Sequence, residues 1–225
     1  VANSTYEWTV SSAPATTWTT GKAPAGGTGG MGTVIEQNLE HESYLPITVT
    51  YTITPKGPAP TYCVGPPVTR QVIVNPVARI SDKTASICSG GTFTVTPANG
   101  GSEIVPSGTT YTWSTPAISP AGSITGGSAQ STGQTSISQA LINTTNASAT
   151  ATYTVTPQSG SCTGPTFTVT VTVNPVPSIS GMSATICSGS TFTVTPANGG
   201  SDIVPSGTTY TWSTPAISPA GSITG

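Results

Sequence analysis

Few side chains in this sequence have the types and spacings that catalysis requires. His41 is the single histidine, and Glu36, Glu40 and Glu42 around it form the only acidic cluster. A nucleophile needs a base beside it, and general acid–base catalysis needs a positioned pair of titratable groups. Because the many Ser and Thr residues share one histidine, we expect no catalytic site and interpret the three glutamates as part of a solvated loop or edge strand.

Metal binding is also poorly supported by the residue types present. Calcium takes six to eight oxygen ligands, usually several of them carboxylates. Within residues 77–175 only Asp82 and Glu103 are acidic, and at the equivalent places 99 residues later stand Gly181 and Asp202. A zinc site is not indicated either, because there is no CxxC motif and a single histidine. We therefore expect no metal ion and no cofactor.

The charge content excludes two classes of partner. Only 5% of the residues are charged, with five Lys and Arg against seven Asp and Glu. Nucleic-acid binding requires clustered basic side chains that displace counterions from phosphates, and adsorption to an anionic membrane requires a basic cluster as well. No stretch approaches the roughly 20 apolar residues that span a bilayer. We therefore expect neither nucleic-acid binding nor membrane insertion.

Composition and periodicity predict an all-β fold. The chain is rich in Thr, which favours strands, and its 26 Gly and 21 Pro residues favour turns. Trp8, Trp113 and Trp212 fall on apolar faces of alternating segments and are expected in a core, whereas Trp18 has no counterpart and is a candidate for surface contact. The clearest segments with period-two alternation are 92–96, 109–114, 150–156 and 166–173.

The sequence repeats itself with a period of 99 residues. The strings that recur at this offset are Asn-Pro-Val at 75 and 174, Ile-Cys-Ser-Gly at 87 and 186, and Tyr-Thr-Trp at 111 and 210. A divergent copy precedes them, in which 51–55 corresponds to 153–157. The phase predicts the C-terminal part of a divergent repeat in 1–76, a complete repeat in 77–175 and the N-terminal part of a further repeat in 176–225. We expect the chain to be a part of a longer array.

The motifs of the complete repeat resemble those of a known family. The run from Pro97 to Trp113, the Gly-Ser-Cys turn at 160–162 and the exit strand Thr-Val-Thr-Val-Asn-Pro at 170–175 resemble PKD-like domains of Bacteroidota surface proteins. The Ile-Cys-Ser-Gly and Gly-x-Cys pair is similar to repeats of SprB-type gliding-motility adhesins, which the type IX system exports. The resemblance implies tandem immunoglobulin-like (Ig-like) β-sandwiches on the exterior of the cell.

Cys63, Cys88, Cys162 and Cys187 supply two cysteines per repeat. In an exported protein such cysteines indicate disulfides. The simplest pairing joins Cys88 to Cys162, which would stabilise the repeat by about 4 kcal/mol, and leaves Cys63 and Cys187 with partners outside the chain. The alternative is a bond between neighbouring repeats, because an Ig-like topology puts the first and second cysteines of one repeat at opposite ends.

These observations favour a structural role over catalysis. We expect a stalk whose short Asn-Pro linkers join stable domains into a semi-rigid rod, with neighbouring repeats, outer-membrane secretion machinery and a substratum as partners. Two alternatives stay open: repeats that themselves bind polysaccharide or surfaces multivalently, and an accessory module of a secreted carbohydrate-active enzyme.

Overall fold

The structure is a computed structural model that describes residues 4–30 and 34–223, and these residues form fifteen strands and no helix. It therefore contains no helix that is long and apolar enough to cross a lipid bilayer. The chain divides into three consecutive parts, named here the N-terminal unit (residues 4–30 and 34–76), the central unit (77–175) and the C-terminal segment (176–223). Strands occur in the first two parts, and each of these has its own apolar core.

The N-terminal unit is a single antiparallel sheet with the strand order β2-β1-β3-β4. Its strands are β1 (Thr5–Ala13), β2 (Gly27–Gly30), β3 (Ile47–Lys56) and β4 (Val68–Val74). The inward face of β3 buries Ile47, Val49 and Tyr51, and the half-buried Trp8 and Trp18 pack against it. Residues 34–41 run along this core without joining the sheet.

The central unit is a two-layer sandwich. Its strands are β5 (Lys83–Cys88), β6 (Thr92–Val95), β7 (Thr110–Trp113), β8 (Ala117–Ser119), β9 (Ile124–Thr125), β10 (Gln130–Gln134), β11 (Ile137–Ala140), β12 (Ile142–Asn143), β13 (Ala149–Ser159), β14 (Cys162–Thr163) and β15 (Phe167–Asn174). The larger layer has the order β10-β7-β13-β15-β5, with β8 and β14 also paired to β13. The pairs β11-β6 and β12-β9 form the second layer. Strand β5 runs parallel to β15, whereas the other pairs are antiparallel.

Alternating apolar residues build the core of the central unit, as the period-two pattern predicts. Val155 and Val171 lie on the inward faces of β13 and β15 and have no solvent exposure. Phe93 of β6 packs against Tyr153 with ring centroids 5.2 Å apart, which joins the two layers. Trp113 is buried, and its indole N–H donates to the carbonyl oxygen of Ser128 at 3.1 Å. These features, together with the parallel β5–β15 edge, confirm an all-β, Ig-like sandwich.

The C-terminal segment repeats the sequence of 77–124 almost unchanged and yet contains no strand. Phe93 is 2% exposed, whereas its counterpart Phe192 is 59% exposed, and Trp212 is 87% exposed although its counterpart Trp113 is buried. Trp212, which the sequence places in a core, is therefore exposed in this segment. The physical reason is that strands β13 and β15 cover the first half of the central unit, and nothing in the described residues covers the C-terminal segment in the same way.

The two equivalent phenylalanines provide a matched test of this dependence. In dilute solution, Phe93→Ala should lower the free energy of unfolding of the central unit by about 3–5 kcal/mol, because it leaves a cavity between the two layers. Phe192→Ala should change it by less than about 0.5 kcal/mol, as exposed substitutions do. Hydrogen exchange of the β13 amides at increasing urea concentrations reports the stability of this unit. Similar losses in both variants would contradict the described burial.

Candidate functional site: the junctions between repeats

The single histidine has a structural role in the N-terminal unit. His41 is buried, its Nδ1 accepts a hydrogen bond from the backbone N–H of Ser43 at 3.2 Å, and its Nε2 lies 3.0 Å from the carbonyl oxygen of Val74. An imidazole that accepts at Nδ1 carries its proton at Nε2, so this nitrogen donates to Val74. Both ring nitrogens are thus engaged with the backbone, and neither is directed at a substrate.

The three glutamates near His41 do not converge on one point. Glu36 and Glu42 are exposed, and Glu40 forms an ion pair with Arg79 of the following linker. Exposed ion pairs of this kind contribute little to stability. Across residues 4–30 and 34–223, no group of three His, Cys, Asp or Glu residues is arranged to hold a metal ion.

The proposed surface residue Trp18 lies against the core of the N-terminal unit instead. It is half-buried, pairs with His41 through an isolated β-bridge, and packs edge-on against the imidazole with ring centroids 5.8 Å apart. The reason is that residues 14–26 fold back toward the segment 34–41. The backbone N–H of Thr19 donates a hydrogen bond of 2.9 Å to the carbonyl oxygen of Glu40 in that segment. Trp18 therefore fills part of the core with its buried face, and surface contact through its exposed part stays a prediction.

The linker between the N-terminal and central units is packed rather than loose. Pro76 and Ala78 are buried, and the backbones of Arg79 and Ile104 exchange two hydrogen bonds of 2.8 and 2.9 Å. Gly164 allows this packing, because a Cβ atom there would lie 2.2 Å from the Ala78 carbonyl oxygen. The linker is thus fixed to the central unit within four residues of its start at Asn75.

A carboxylate fixes the next part of the linker. Glu103 accepts hydrogen bonds from the backbone N–H and hydroxyl of Ser81 and forms an ion pair with Lys83. The Lys83 ammonium, and after it the Ser81 hydroxyl, hold the pKa of Glu103 below its ordinary value. Asp82 acts similarly, because its carboxylate accepts the N–H of Thr168 at 2.7 Å, a bond that lowers its pKa. Both carboxylates therefore serve as anchors for the backbone. Their oxygens accept hydrogen bonds that calcium coordination would have to replace.

The loop that carries Glu103 is a tight turn. Gly101 has φ of 60°, a left-handed conformation that side chains with a Cβ rarely adopt. Asn99 accepts the backbone N–H of Val105 at 3.2 Å, and the backbones of Gly100 and Glu103 exchange hydrogen bonds of 3.0 and 3.3 Å. These bonds hold the loop in one shape and place the Glu103 carboxylate over the linker.

The same loop and linker contacts recur 99 residues later. Gly200 also has φ of 60°, and Ser178 and Ile203 exchange backbone hydrogen bonds of 2.9 and 2.7 Å, as Arg79 and Ile104 do. Asp202 accepts the backbone N–H of Ser180 at 2.7 Å, in the place where Glu103 accepts that of Ser81. These contacts form even though the C-terminal segment has no sheet, so they do not require a completed sandwich around them.

Both junctions bring the same elements together. At the first junction, a groove is lined by Glu42 and Tyr44 of the N-terminal unit and by the loop 99–104 of the central unit. At the second junction, residues 144–146 of the central unit face the loop formed by residues 198–203. Because 51–55 aligns with 153–157, residues 42 and 44 correspond to 144 and 146. The contact between one repeat and the next is therefore built twice from equivalent positions.

The structure leaves all four thiols free, including Cys88 and Cys162, for which the simplest pairing predicted a disulfide. The parallel register places Cys88 beside Asn174 at the end of β15, whereas Cys162 pairs with Ser159 before β15 begins. The seven steps from Phe167 to Asn174 span about 23 Å, far beyond the separation a disulfide allows. The register of β5 thus separates the two thiols and corrects that pairing.

Sequence reasoning placed the linkers but missed what holds them. The available signal was the pair of acidic residues Glu103 and Asp202, which stay acidic while Asp82 is replaced by Gly181. By sequence alone, Glu103 counts only as one of too few acidic residues for a calcium site, whereas the structure shows it bonded to the linker.

Lowering the pH should weaken the contact between the Glu103 carboxylate and the linker. A carboxylate with a lowered pKa stabilises the folded contact above the ordinary glutamate pKa of about 4.3, and this contribution is lost as the pH falls through the lower folded-state pKa. Glu103→Gln should cost about 1 kcal/mol at neutral pH, because a charge-assisted hydrogen bond becomes a neutral one. The protection of the Arg79 and Ile104 amides from hydrogen exchange should then fall at neutral pH. This protection should also depend much less on pH than it does in the unsubstituted chain.

The exposed Glu36 provides the control for this measurement. Glu36→Gln changes the net charge equally and should leave both exchange rates, and their dependence on pH, unchanged. Equal effects of the two substitutions would show that net charge, rather than the Glu103 contacts, governs the linker.

Comparison with known proteins gives a family match that lies largely within the central unit. Residues 84–177 match the family model described as a PKD-like domain, so the match begins within β5 and ends in the second linker. A search of the curated proteins found no match. Domains of this kind are typically non-catalytic and usually extracellular. The sheet order and this match together support a PKD-like, Ig-like repeat in the central unit, a module of the extracellular type.

Proposed function

We propose that this chain is stalk from a very large cell-surface adhesin, in which repeated sandwiches hold a distal adhesive region away from the cell. The observation that carries the proposal is the recurrence of the junction: linker, turn and facing loop occupy equivalent positions at 75–104 and 174–203. A contact that repeats at a fixed period generates a regular succession of units. An extended rod needs this regularity, and a catalytic or single-copy binding module does not.

The stiffness of the linkers supports the same role. Proline fixes its own φ and restricts the residue before it, so Asn75-Pro76 has few accessible conformations. Burial of Pro76 and Ala78 and the bridge from Arg79 to Ile104 restrict the linker further. A flexible tether would instead be exposed and rich in Gly and Ser.

The proposal also covers the type of cell and the system that exports the chain. The resemblance of the Ile-Cys-Ser-Gly and Gly-x-Cys motifs to SprB-type repeats supports a gliding-motility adhesin of a Bacteroidota cell, exported by the type IX system. In such a cell the rod would transmit force between a moving outer-membrane anchor and the substratum. Its immediate partners would be the neighbouring repeats of the same chain.

Loosening the first linker should uncouple the two folded units. In the double substitution Pro76→Gly and Ala78→Gly, both buried side chains of the linker are shortened and the backbone is freed. Backbone ¹⁵N relaxation should then report a shorter rotational correlation time for the N-terminal unit, approaching that of a unit of its own size, with the central-unit fold unchanged.

The second linker supplies the matched control. Pro175→Gly and Pro177→Gly alter the equivalent positions on the far side of the central unit, so the N-terminal and central units should keep a common correlation time. If the unsubstituted chain already shows independent tumbling of these two units, the rod is contradicted.

Adhesion assays separate the stalk from the alternative in which each repeat binds a surface. The chain should not bind polysaccharides, glass or polymer surfaces in a saturable manner, because the side chains that recur from repeat to repeat serve cores and junctions. The variant Trp212→Ser should be tested beside it, since an indole that is 87% exposed can adsorb without specificity. Saturable binding that survives this substitution would assign adhesion to the repeats themselves.

A further inference from the structure

Cys88 is fixed at the exit of the central unit. It is the last residue of β5, where the parallel register puts it beside Asn174 at the start of the second linker. The backbone N–H of Ser89 donates to the Asn174 carbonyl oxygen at 2.8 Å, and the Asn174 side chain donates to the Ser86 hydroxyl at 3.1 Å. These bonds hold the end of β5, and with it Cys88, next to the linker that leads to the following repeat.

Cys162 lies at the entrance of the same unit. It pairs with Ser159 across the turn between β13 and β14. Ser159 and Gly160 of this turn share a groove with Asn75 of the first linker. The second cysteine of a repeat is therefore placed at the linker through which the chain enters that repeat.

The divergent N-terminal unit keeps the second cysteine in the same place. A bridge between Lys56 and Val64 corresponds to the pair that Thr163 forms in β14. Cys63 directly precedes Val64, as Cys162 precedes Thr163, although the turn before Cys63 is longer and differs in sequence. The cysteine thus recurs where most of the turn does not, which indicates a role for the thiol itself.

The residues around Cys88 have roles inside the repeat, whereas its own side chain faces outward. Ile87 packs against the core, and Gly90 adopts a left-handed φ of 84°. The Ser89 hydroxyl accepts the backbone N–H of Asn143 at 2.9 Å. Cys88 alternates with Ile87 along β5 and is exposed. Because cysteine is among the residues most often buried, an exposed one that recurs with its motif indicates a partner outside its own repeat.

The equivalence of the two junctions brings the first and second cysteines to one place in the array. Asn75 and Asn174 occupy equivalent positions, and each is followed by the same backbone bridge, at 79–104 and at 178–203. The first junction shows the hairpin of Cys162 beside the linker asparagine, and the second shows Cys88 of the preceding unit beside it. A junction between two whole repeats therefore holds both cysteines on the two sides of one asparagine.

We propose that the first cysteine of each repeat, represented by Cys88, forms a disulfide with the second cysteine of the following repeat, represented by Cys162. The inference rests on the tandem array of the proposed function and adds a covalent bond beside each linker. Each cysteine is one neighbour, about 5 Å, from a residue at the shared site: Cys88 from Asn174 and Cys162 from Ser159.

The bond requires an oxidising exterior, where disulfides persist. Two thiols form one disulfide, and their protons and electrons pass to a disulfide oxidant, which is reduced to two thiols. In this pairing the first cysteines bond forward along the array and the second cysteines bond backward. The four thiols of this chain are then not partners of one another, which agrees with their free state in the structure.

The first test uses the chain as it stands. Asn75→Cys puts a thiol at the exposed linker position beside which the first cysteine of the preceding repeat would lie. A short bismaleimide should join this thiol to Cys162 within one chain, as peptide mass spectrometry would detect. Val68→Cys is the matched control, because Val68 is also exposed but lies at the far end of β4. No cross-link from Asn75→Cys, or equal cross-linking of Cys162 in both variants, would overturn the proposal.

The second test completes the following repeat. Residues 176–225 correspond to 77–126, so extending the chain after Gly225 with a second copy of 127–175 supplies the second half and a copy of Cys162. With glutathione disulfide as the oxidant, Cys88 should form a disulfide with that copy, and every other thiol should stay alkylatable. A blue shift of the tryptophan emission should report folding of the added half, because it buries the indole of Trp212, now 87% exposed.

Single substitutions in the extended chain distinguish this bond from pairing within a repeat. Cys88→Ser should abolish the disulfide, whereas Cys162→Ser and Cys187→Ser should leave it intact. Loss of a disulfide in either of the latter two variants, or no disulfide in an extended chain whose Trp212 is buried, would contradict the proposed pairing. The cross-link from Asn75→Cys decides independently of how the extension folds. None of these outcomes bears on the stalk, which is tested by the common tumbling of the two units.

Discussion

Within the complete repeat, the apolar face of each half is covered by the other half. In the central unit, Phe93 lies under Tyr153, and the valines of β13 and β15 are fully buried. Burial of one such side chain contributes about 1.5–3 kcal/mol, whereas ordering the backbone costs about 1–2 kcal/mol for every residue. A half-repeat that cannot bury its face therefore cannot offset the entropy of its strands. This balance explains why almost the same sequence contributes strands to the sandwich in 77–124 and lacks strands in 176–223.

The junctions obey a different, more local rule. The turn at Asn99–Glu103 depends on glycines with left-handed backbones and on hydrogen bonds within a few residues, and its copy near Asp202 keeps these bonds without a core beneath it. The linker is fixed by carboxylates that accept backbone N–H groups. The stiffness of the linkers thus comes from backbone hydrogen bonds and from a few carboxylates, although the chain carries very little charge overall.

The sequence predicted the strands whose residues alternate and missed those whose position depends on pairing. β13 and β15 were recognised because Thr and Val alternate along them. β10 (Gln130–Gln134) was not, since an edge strand of polar residues has no apolar face to reveal it. The partial burial of Trp18 could not be predicted, because it comes from a loop that folds back on His41, a contact without sequence periodicity. The Cys88–Cys162 pairing failed for a similar reason: it depends on the parallel register of β5.

That parallel register also determines how the central unit responds to a force applied through its two linkers. The incoming linker leads to the start of β5 at Lys83, and the outgoing linker leaves the end of β15 at Asn174. A pull on the two linkers would therefore slide β5 and β15 past one another in opposite directions. All six register pairs between Lys83–Val169 and Cys88–Asn174 would carry the load together, whereas a hairpin pulled from one end would peel apart pair by pair. Resistance to such shear is a property of the unfolding rate rather than of equilibrium stability. A strand contributing only two side chains to the core can thus be the mechanical clamp of the whole unit.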